Sequence, residues 1–216
     1  PKVQVYETAP GETRLIALDD GTRINLNGAS HIEVKMGRRM RQVEMAQAEA
    51  SFDVAHDAAR PFIVTVGEDT VRVVGTEFNI RRDQAQTTVT VRRGLVEVKP
   101  TKGPEAPVRL PAGTAYEHAD GRAQPTVAKV APDAAFAWAT GRLVYDDQPL
   151  SKVVADLGRR FRTPITVDDP AGRLRFTGVL VLDDEAKVLS RLESFLSFTA
   201  HRSGTGIRLT LKAKAG

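Results

Sequence analysis

The sequence predicts an α+β protein in two parts: an all-β domain over residues 1–120, and a small two-layer α+β domain, two helices on a sheet, over residues 138–216. Three features carry this reading. From Thr13 to about Glu117 apolar residues recur with a period of two, the pattern of strands that bury one face and wet the other. After Gly141 the period becomes that of amphipathic helices set between short strands. Between the two, residues 121–137 follow neither period; their first part, GRAQPTVAKVAP, is rich in Ala and Pro and reads as a linker.

The N-terminal strands are read in chain order. Ile24 and Leu26 alternate with Arg23, Asn25 and Asn27, and Ile32, Val34 and Met36 with His31, Glu33 and Lys35. Ala48, Ala50, Phe52 and Val54 keep the same rule, as do Phe62, Val64 and Val66, then Val89 and Val91, then Val96 and Val98. Turn chemistry separates the runs at Asp19-Asp20-Gly21, Asn27-Gly28, Gly67-Glu68-Asp69, Pro111-Ala112-Gly113 and Asp120-Gly121. Short strands at this spacing specify an antiparallel-rich sandwich, barrel or short solenoid, and periodicity does not choose among them.

In the second part Asp133 is placed to cap a short helix through Trp138, which Gly141 ends. Leu143-Val144-Tyr145 forms a strand. Leu150, Val153, Val154, Leu157 and Phe161 make one helical stripe, broken at Thr163-Pro164 before the strand Ile165-Thr166-Val167. Leu174, Phe176 and Val179 to Val181 supply another strand. Asp183-Asp184-Glu185 opens a second helix with the stripe Val188, Leu189, Leu192, Phe195 and Leu196, and a hairpin closes the chain around Ser203-Gly204-Thr205-Gly206.

Composition narrows the function. The chain of 216 residues carries 31 Lys and Arg against 27 Asp and Glu, a net charge of +4, a slight excess whose basic clusters sit among carboxylates. Solvated faces are favoured over a nucleic-acid groove. No apolar run is long enough to span a bilayer. The chain starts at Pro1 without Met or an apolar leader, which reads as part of a longer protein whose signal or anchor lies outside it. The absence of Cys excludes disulfides and thiolate chemistry and suits a non-cytoplasmic setting.

Catalytic and metal signatures are missing. The four histidines, His31, His56, His118 and His201, have no ligand partners at helical spacing and read as exposed or turn residues. The acid pairs Asp19-Asp20, Asp146-Asp147, Asp168-Asp169 and Asp183-Asp184 stand at turns and helix starts, where Asp caps backbone. There is no Gly-x-Ser-x-Gly, no Walker loop and no GxGxxG. Trp138 with Phe136 is read as a domain-junction anchor, with sugar stacking as the alternative. The residues describe a binding protein, not an enzyme, with no cofactor and no metal.

Several ordered motifs then carry a family likeness. Leu18-Asp19-Asp20-Gly21-Thr22-Arg23-Ile24-Asn25-Leu26-Asn27 with Ser30 resembles the LPDGSxVxLNxxS signature of FecR-type periplasmic domains, with Asp19 where the family has Pro. Glu49-Ala50-Ser51-Phe52-Asp53-Val54 is similar to GEAxFxV, with Ala48 in place of Gly, and Val73-Val74-Gly75-Thr76-Glu77-Phe78-Asn79-Ile80 to VxGTxFxV. Gly94-Leu95-Val96-Glu97-Val98 and Leu110-Pro111-Ala112-Gly113 continue the series. The stretch from Trp138 to Leu150, with Val153 to Leu157 and Arg160-Phe161, resembles the family's C-terminal region, a secretin/TonB short N-terminal fold.

The resemblance implies the periplasmic portion of a single-pass inner-membrane anti-sigma regulator, anchored through an N-terminal helix outside this chain. It implies as partners the signalling domain of an outer-membrane TonB-dependent transducer, an extracytoplasmic-function sigma factor held by a cytoplasmic region, and a periplasmic protease. Beside it stand a carbohydrate- or envelope-polymer-binding module and, further off, a hydrolase. Small α+β units accept partner strands at free sheet edges, so Leu143, Val144, Tyr145 and Asp147 are the expected partner-binding residues, with Arg160 on a charged helix rim.

Overall fold

The computed structural model describes residues 2–103 and 106–213. The chain divides into two compact units, Pro1–Phe136 and Ala137–Gly216.

The described residues of the N-terminal unit form fourteen strands: β1 (Val3–Thr8), β2 (Arg14–Ala17), β3 (Arg23–Leu26), β4 (Ser30–Met36), β5 (Arg41–Met45), β6 (Ala48–Asp53), β7 (Phe62–Val66), β8 (Asp69–Val73), β9 (Glu77–Asp83), β10 (Gln86–Arg93), β11 (Leu95–Pro100), β12 (Val108–Pro111), β13 (Thr114–Ala119) and β14 (Thr126–Lys129). They form two seven-stranded sheets, in the orders β1-β4-β5-β7-β8-β11-β12 and β14-β13-β10-β9-β6-β3-β2. Of the architectures left open by periodicity, the sandwich is the one adopted: Ile32, Val34, Phe62 and Val64 of the first sheet and Ile24, Leu26, Phe52 and Phe78 of the second belong to one buried cluster. Burying each such side chain is worth about 1.5–3 kcal/mol. Phe52 stacks on Phe78 with centroids 5.0 Å apart and meets Phe62 edge-on at 6.0 Å.

Strands exchange sheets as the chain proceeds. After β5 the chain enters the second sheet as β6 and returns as β7, which therefore lies parallel to β5, while the other neighbours in these sheets pair antiparallel. Residues 121–137 are not a structureless linker. They hold β14, which pairs with β13 from Thr114↔Lys129 to Glu117↔Thr126. All four β14 side chains are exposed, so no burial period marks it. A 3₁₀ helix over Pro132–Thr140 follows, and Gly141, at φ 75°, ends it.

The C-terminal unit runs β15 (Arg142–Pro149), α1 (Leu150–Arg160), β16 (Ile165–Val167), α2 (Asp169–Gly172), β17 (Arg175–Val181), α3 (Glu185–Phe195), β18 (Phe198–Ser203) and β19 (Gly206–Leu211). The α+β class holds, and the strands divide between two sheets rather than one. β15 and β17 form an antiparallel pair, while β16, β19 and β18 form a three-stranded sheet with β16 parallel to β19. α1 touches β15 and β16, and α3 touches β17 and β18, so each helix packs against both sheets. That explains the wide buried arc of α1, where Asp156 and Arg159 are buried along with Leu150, Val153, Val154 and Leu157. Of the second stripe Phe195, at the last turn of α3, stands outside the core at 74% exposure, while Leu196 packs partly buried against it. Asp168 and Asp184 act as caps, accepting from the Ala171 and Lys187 N–H groups at 2.8 and 3.1 Å.

Candidate partner-binding surface

The sequence motifs of the N-terminal unit converge on two buried polar networks. In the first, Arg41 is wholly buried. Its Nη1 donates to Asp20 Oδ2 at 2.8 Å and to the Ala55 carbonyl at 2.9 Å, its Nε donates to the Arg60 carbonyl at 2.8 Å, and its guanidinium lies 5.5 Å from the Phe62 ring centroid. Asp20 also accepts from the Thr22 N–H and Oγ1 at 3.0 and 2.9 Å. Burial alone raises the Asp20 carboxyl, but the Arg41 and Thr22 bonds outweigh it and hold the carboxyl below its ordinary range. Gly21, at φ 87°, closes this turn.

In the second network Glu49 accepts from Asn27 Nδ2 at 3.0 Å and Asn79 Nδ2 at 3.1 Å, and its own N–H donates to Ser30 Oγ at 3.0 Å. Residues from β6, β9 and the turn before β4 are thereby tied together. Gly75 serves close approach, since a Cβ there would lie 2.9 Å from the His56 Cα. These motif residues build scaffold.

In each acid pair that sequence reading assigned to turns at least one member is paired or capping: Asp20 with Arg41, Asp147 with Arg175 Nε at 2.9 Å, Asp183 with Arg191 Nη2 at 2.7 Å, and Asp168 and Asp184 as helix caps. Among the described residues there is no group of three metal-ligating side chains. A cleft lined by Pro149, Ser151, Asp168, Asp169, Arg173 and Arg175 sets no His or Lys beside Ser151. His118 departs from the expected exposed or turn position. It is buried on β13 against Asp69, a residue 49 positions away in the chain that nothing in the local pattern links to it. Trp138 belongs to the core of the C-terminal unit with 6% exposure, so it offers no face for a sugar to stack on.

The remaining candidate surface is the β15–β17 pair. Each strand has one strand neighbour and one outward edge. Register places Leu143 opposite Leu180 and Val144 opposite Val179, then Arg142 opposite Val181. The alternation puts Leu143, Tyr145, Phe176 and Leu180 on the buried face and leaves Val144, Val179 and Val181 outside, at 40%, 55% and 46% exposure.

The five residues singled out from sequence therefore separate. Leu143 and Tyr145 face the core, Tyr145 donating to Asp156 Oδ2 at 2.6 Å, and cannot present side chains to a partner. Val144 is on the outer face. Asp147 stands in the β15 bulge at φ 45°, held by Arg175. Arg160 is not on a charged rim: its Nη2 donates to the Leu182 carbonyl at 3.3 Å, and its neighbour Arg159 is buried. Val179 and Val181 complete the outer face. Their alternation with Phe176 and Leu180 is the signal that finds them, once β17 is known to pair with β15.

Residues 4–97 match the family model described as FecR protein. The matched stretch lies within the N-terminal unit. No curated protein matches it. Among solved structures it is similar to two crystal structures, at 1.65 and 2.50 Å, of a proposed anti-sigma factor from Parabacteroides distasonis. Both superpose with a TM-score of 0.87 at 25% identity; they cover 97% and 98% of this chain, and all of their own chains are matched. In the described residues no helix is long and apolar enough to cross a membrane.

Proposed function

We propose that this chain is the periplasmic sensor portion of a membrane-anchored anti-sigma factor, and that it binds the signalling domain of an outer-membrane TonB-dependent transducer. The signal then passes to an extracytoplasmic-function sigma factor through a cytoplasmic region, with a periplasmic protease as a further partner. The observation that carries the binding step is the two-stranded β15–β17 sheet, whose outer face sets Val144 beside Val179. An added strand takes affinity from main-chain hydrogen bonds at an open edge and specificity from side chains that alternate along it. Here the buried half of that alternation holds the sheet on the helices and the exposed half is free for recognition.

The FecR match and the likeness to an anti-sigma factor support the regulatory role. The carbohydrate-binding alternative loses its support with Trp138 in the core. Isothermal titration of this chain against purified transducer signalling domains from the same genome, with a glycan array in parallel, tests the assignment. Binding to a signalling domain upholds it, and a glycan hit with no signalling-domain hit replaces it.

A further inference from the structure

A histidine and an aspartate meet in the interior of the N-terminal sandwich, one from each sheet. His118 lies on β13 in the second sheet, and Asp69 opens β8 in the first; both side chains are wholly buried. His118 Nδ1 is 2.9 Å from Asp69 Oδ1, and His118 Nε2 is 2.8 Å from the carbonyl oxygen of Arg122. With Asp69 a carboxylate, neither neighbour has a proton to give. A backbone carbonyl only accepts, and Asp69 Oδ1 already accepts from Tyr116 Oη at 2.7 Å. A neutral imidazole has one donating and one accepting nitrogen. Either tautomer would therefore point a lone pair at an acceptor inside the protein, where an unmade bond is costly. The imidazolium alone satisfies both contacts.

We infer that His118 is an alkali-released latch: charged, it clasps β13 and the turn at Arg122 to β8 across the two sheets, and on losing its proton it lets that clasp loosen. The groups around it favour the charged form. Glu68 precedes Asp69 and accepts from the Gly121 N–H at 2.7 Å. Asp120 is bound by Arg82 of β9, whose Nη1 also donates to Thr87 Oγ1 at 3.1 Å, and Thr87 is the cross-strand neighbour of His118. Lys102 reaches Glu68 at 3.7 Å. Three carboxylates thus stand against two cations, and Tyr116 stays protonated because burial and Asp69 push its hydroxyl far up. Burial works against the His118 charge, but the Arg122 carbonyl and Asp69 outweigh it, so its titration moves upward.

The sign follows from linkage. A histidine whose folded pKa is raised contributes stability that is fully present below the unfolded value, about 6.5, and is lost as pH rises through the folded value. Each unit by which the folded pKa exceeds the unfolded one appears as a rise of about tenfold in the unfolding constant across that window. The latch therefore loosens in alkali, the reverse of a histidine that is buried neutral. What it releases is β13 and the turn that leads to β14.

The test uses the 216-residue chain. With 15N-labelled histidine, both ring nitrogens of His118 are expected to carry protons at pH 7 and to titrate above the other three histidines. Urea unfolding from pH 6 to 9 is expected to show the wild type losing more stability with rising pH than His118→Gln, and the difference between the two cancels His31, His56 and His201. A single neutral tautomer of His118 at pH 7, or an equal slope in the variant, overturns the latch. Where the variant does not fold, the ring nitrogens of the wild type decide.

Discussion

Arg41 and Asp20, 21 positions apart in the chain, form an ion pair of 2.8 Å, with the Arg41 side chain 0% and the Asp20 side chain 6% exposed. The pair fixes the turn that follows β2 against the start of β5. Backbone carbonyls of residues 55, 57 and 60 take three more of the five guanidinium donors, so one side chain organises an entire loop. Removing a single partner from such a pair strands the other charge away from water. Arg41→Ala is expected to cost about 3–5 kcal/mol in urea unfolding. Arg41→Met, which keeps the stem but not the donors, still leaves Asp20 and the loop carbonyls without it and is also destabilising.

The same pair sets an acid limit. The folded-state pKa of Asp20 is depressed, so its contribution is present above the unfolded value of about 3.9 and is lost as pH falls through the folded value. Asp20→Asn is expected to be less stable at pH 6 and to lose less on acidification to pH 3. Parallel slopes for the two proteins over that range would rule the pair out as a source of acid lability.

Glu49 is the second point of failure. It accepts from Asn27 and Asn79 while its backbone N–H is satisfied by Ser30. Glu49→Ala takes an acceptor from two buried amides, at about 1–3 kcal/mol for each group left unsatisfied. Glu49→Gln keeps an accepting oxygen and is expected to lie between the wild type and the Ala variant in thermal unfolding. An Ala variant as stable as the wild type would mean that the amides find other partners.

What the sequence made legible was whatever depends on one face of one element. Ile24, Leu26, Ile32, Val34, Phe52 and Phe62 are all buried as their period of two requires. So is the α1 stripe from Leu150 to Leu157. Which strand lies beside which was not legible. The β5–β7 parallel pair depends on β6 crossing to the other sheet, and the divided C-terminal sheets depend on β15 pairing with β17, 30 or so residues on. The partner-facing residues suffered for the same reason. Leu143-Val144-Tyr145 was recognised as a strand, but only its pairing and the position of α1 say that Leu143 and Tyr145 point inward. His118 escaped because Asp69 and the Arg122 carbonyl meet it through the tertiary fold.

Metal removal is expected to leave the protein unchanged. Asp20, Asp147 and Asp183 are occupied by arginines, and no three metal-ligating side chains come together among the described residues. Thermal unfolding with EDTA, zinc or calcium should agree within about 2 °C, since a larger shift would report linked binding.

The β15–β17 face yields a contrast between two kinds of substitution. Leu143→Asp and Tyr145→Asp place a carboxylate in the interior of the C-terminal unit, at a cost of several kcal/mol, and are expected to unfold that unit whatever the partner does. Tyr145→Phe removes only the hydroxyl that donates to Asp156, so it is expected to lower stability by about 1–3 kcal/mol and leave affinity intact. Val144→Asp and Val179→Asp instead alter exposed side chains that face each other across the pair, where a charge is hydrated and cheap to the fold. They are expected to retain the native circular dichroism and unfolding midpoint and to weaken binding of a transducer signalling domain by about tenfold or more, the scale of a central contact in an interface. The loss should appear mainly as faster dissociation, because these residues contribute packing and not long-range attraction. Native affinity in both folded valine variants would move the interface off this sheet and onto another edge of the C-terminal unit, of which β18 is the longer of the two in the three-stranded sheet.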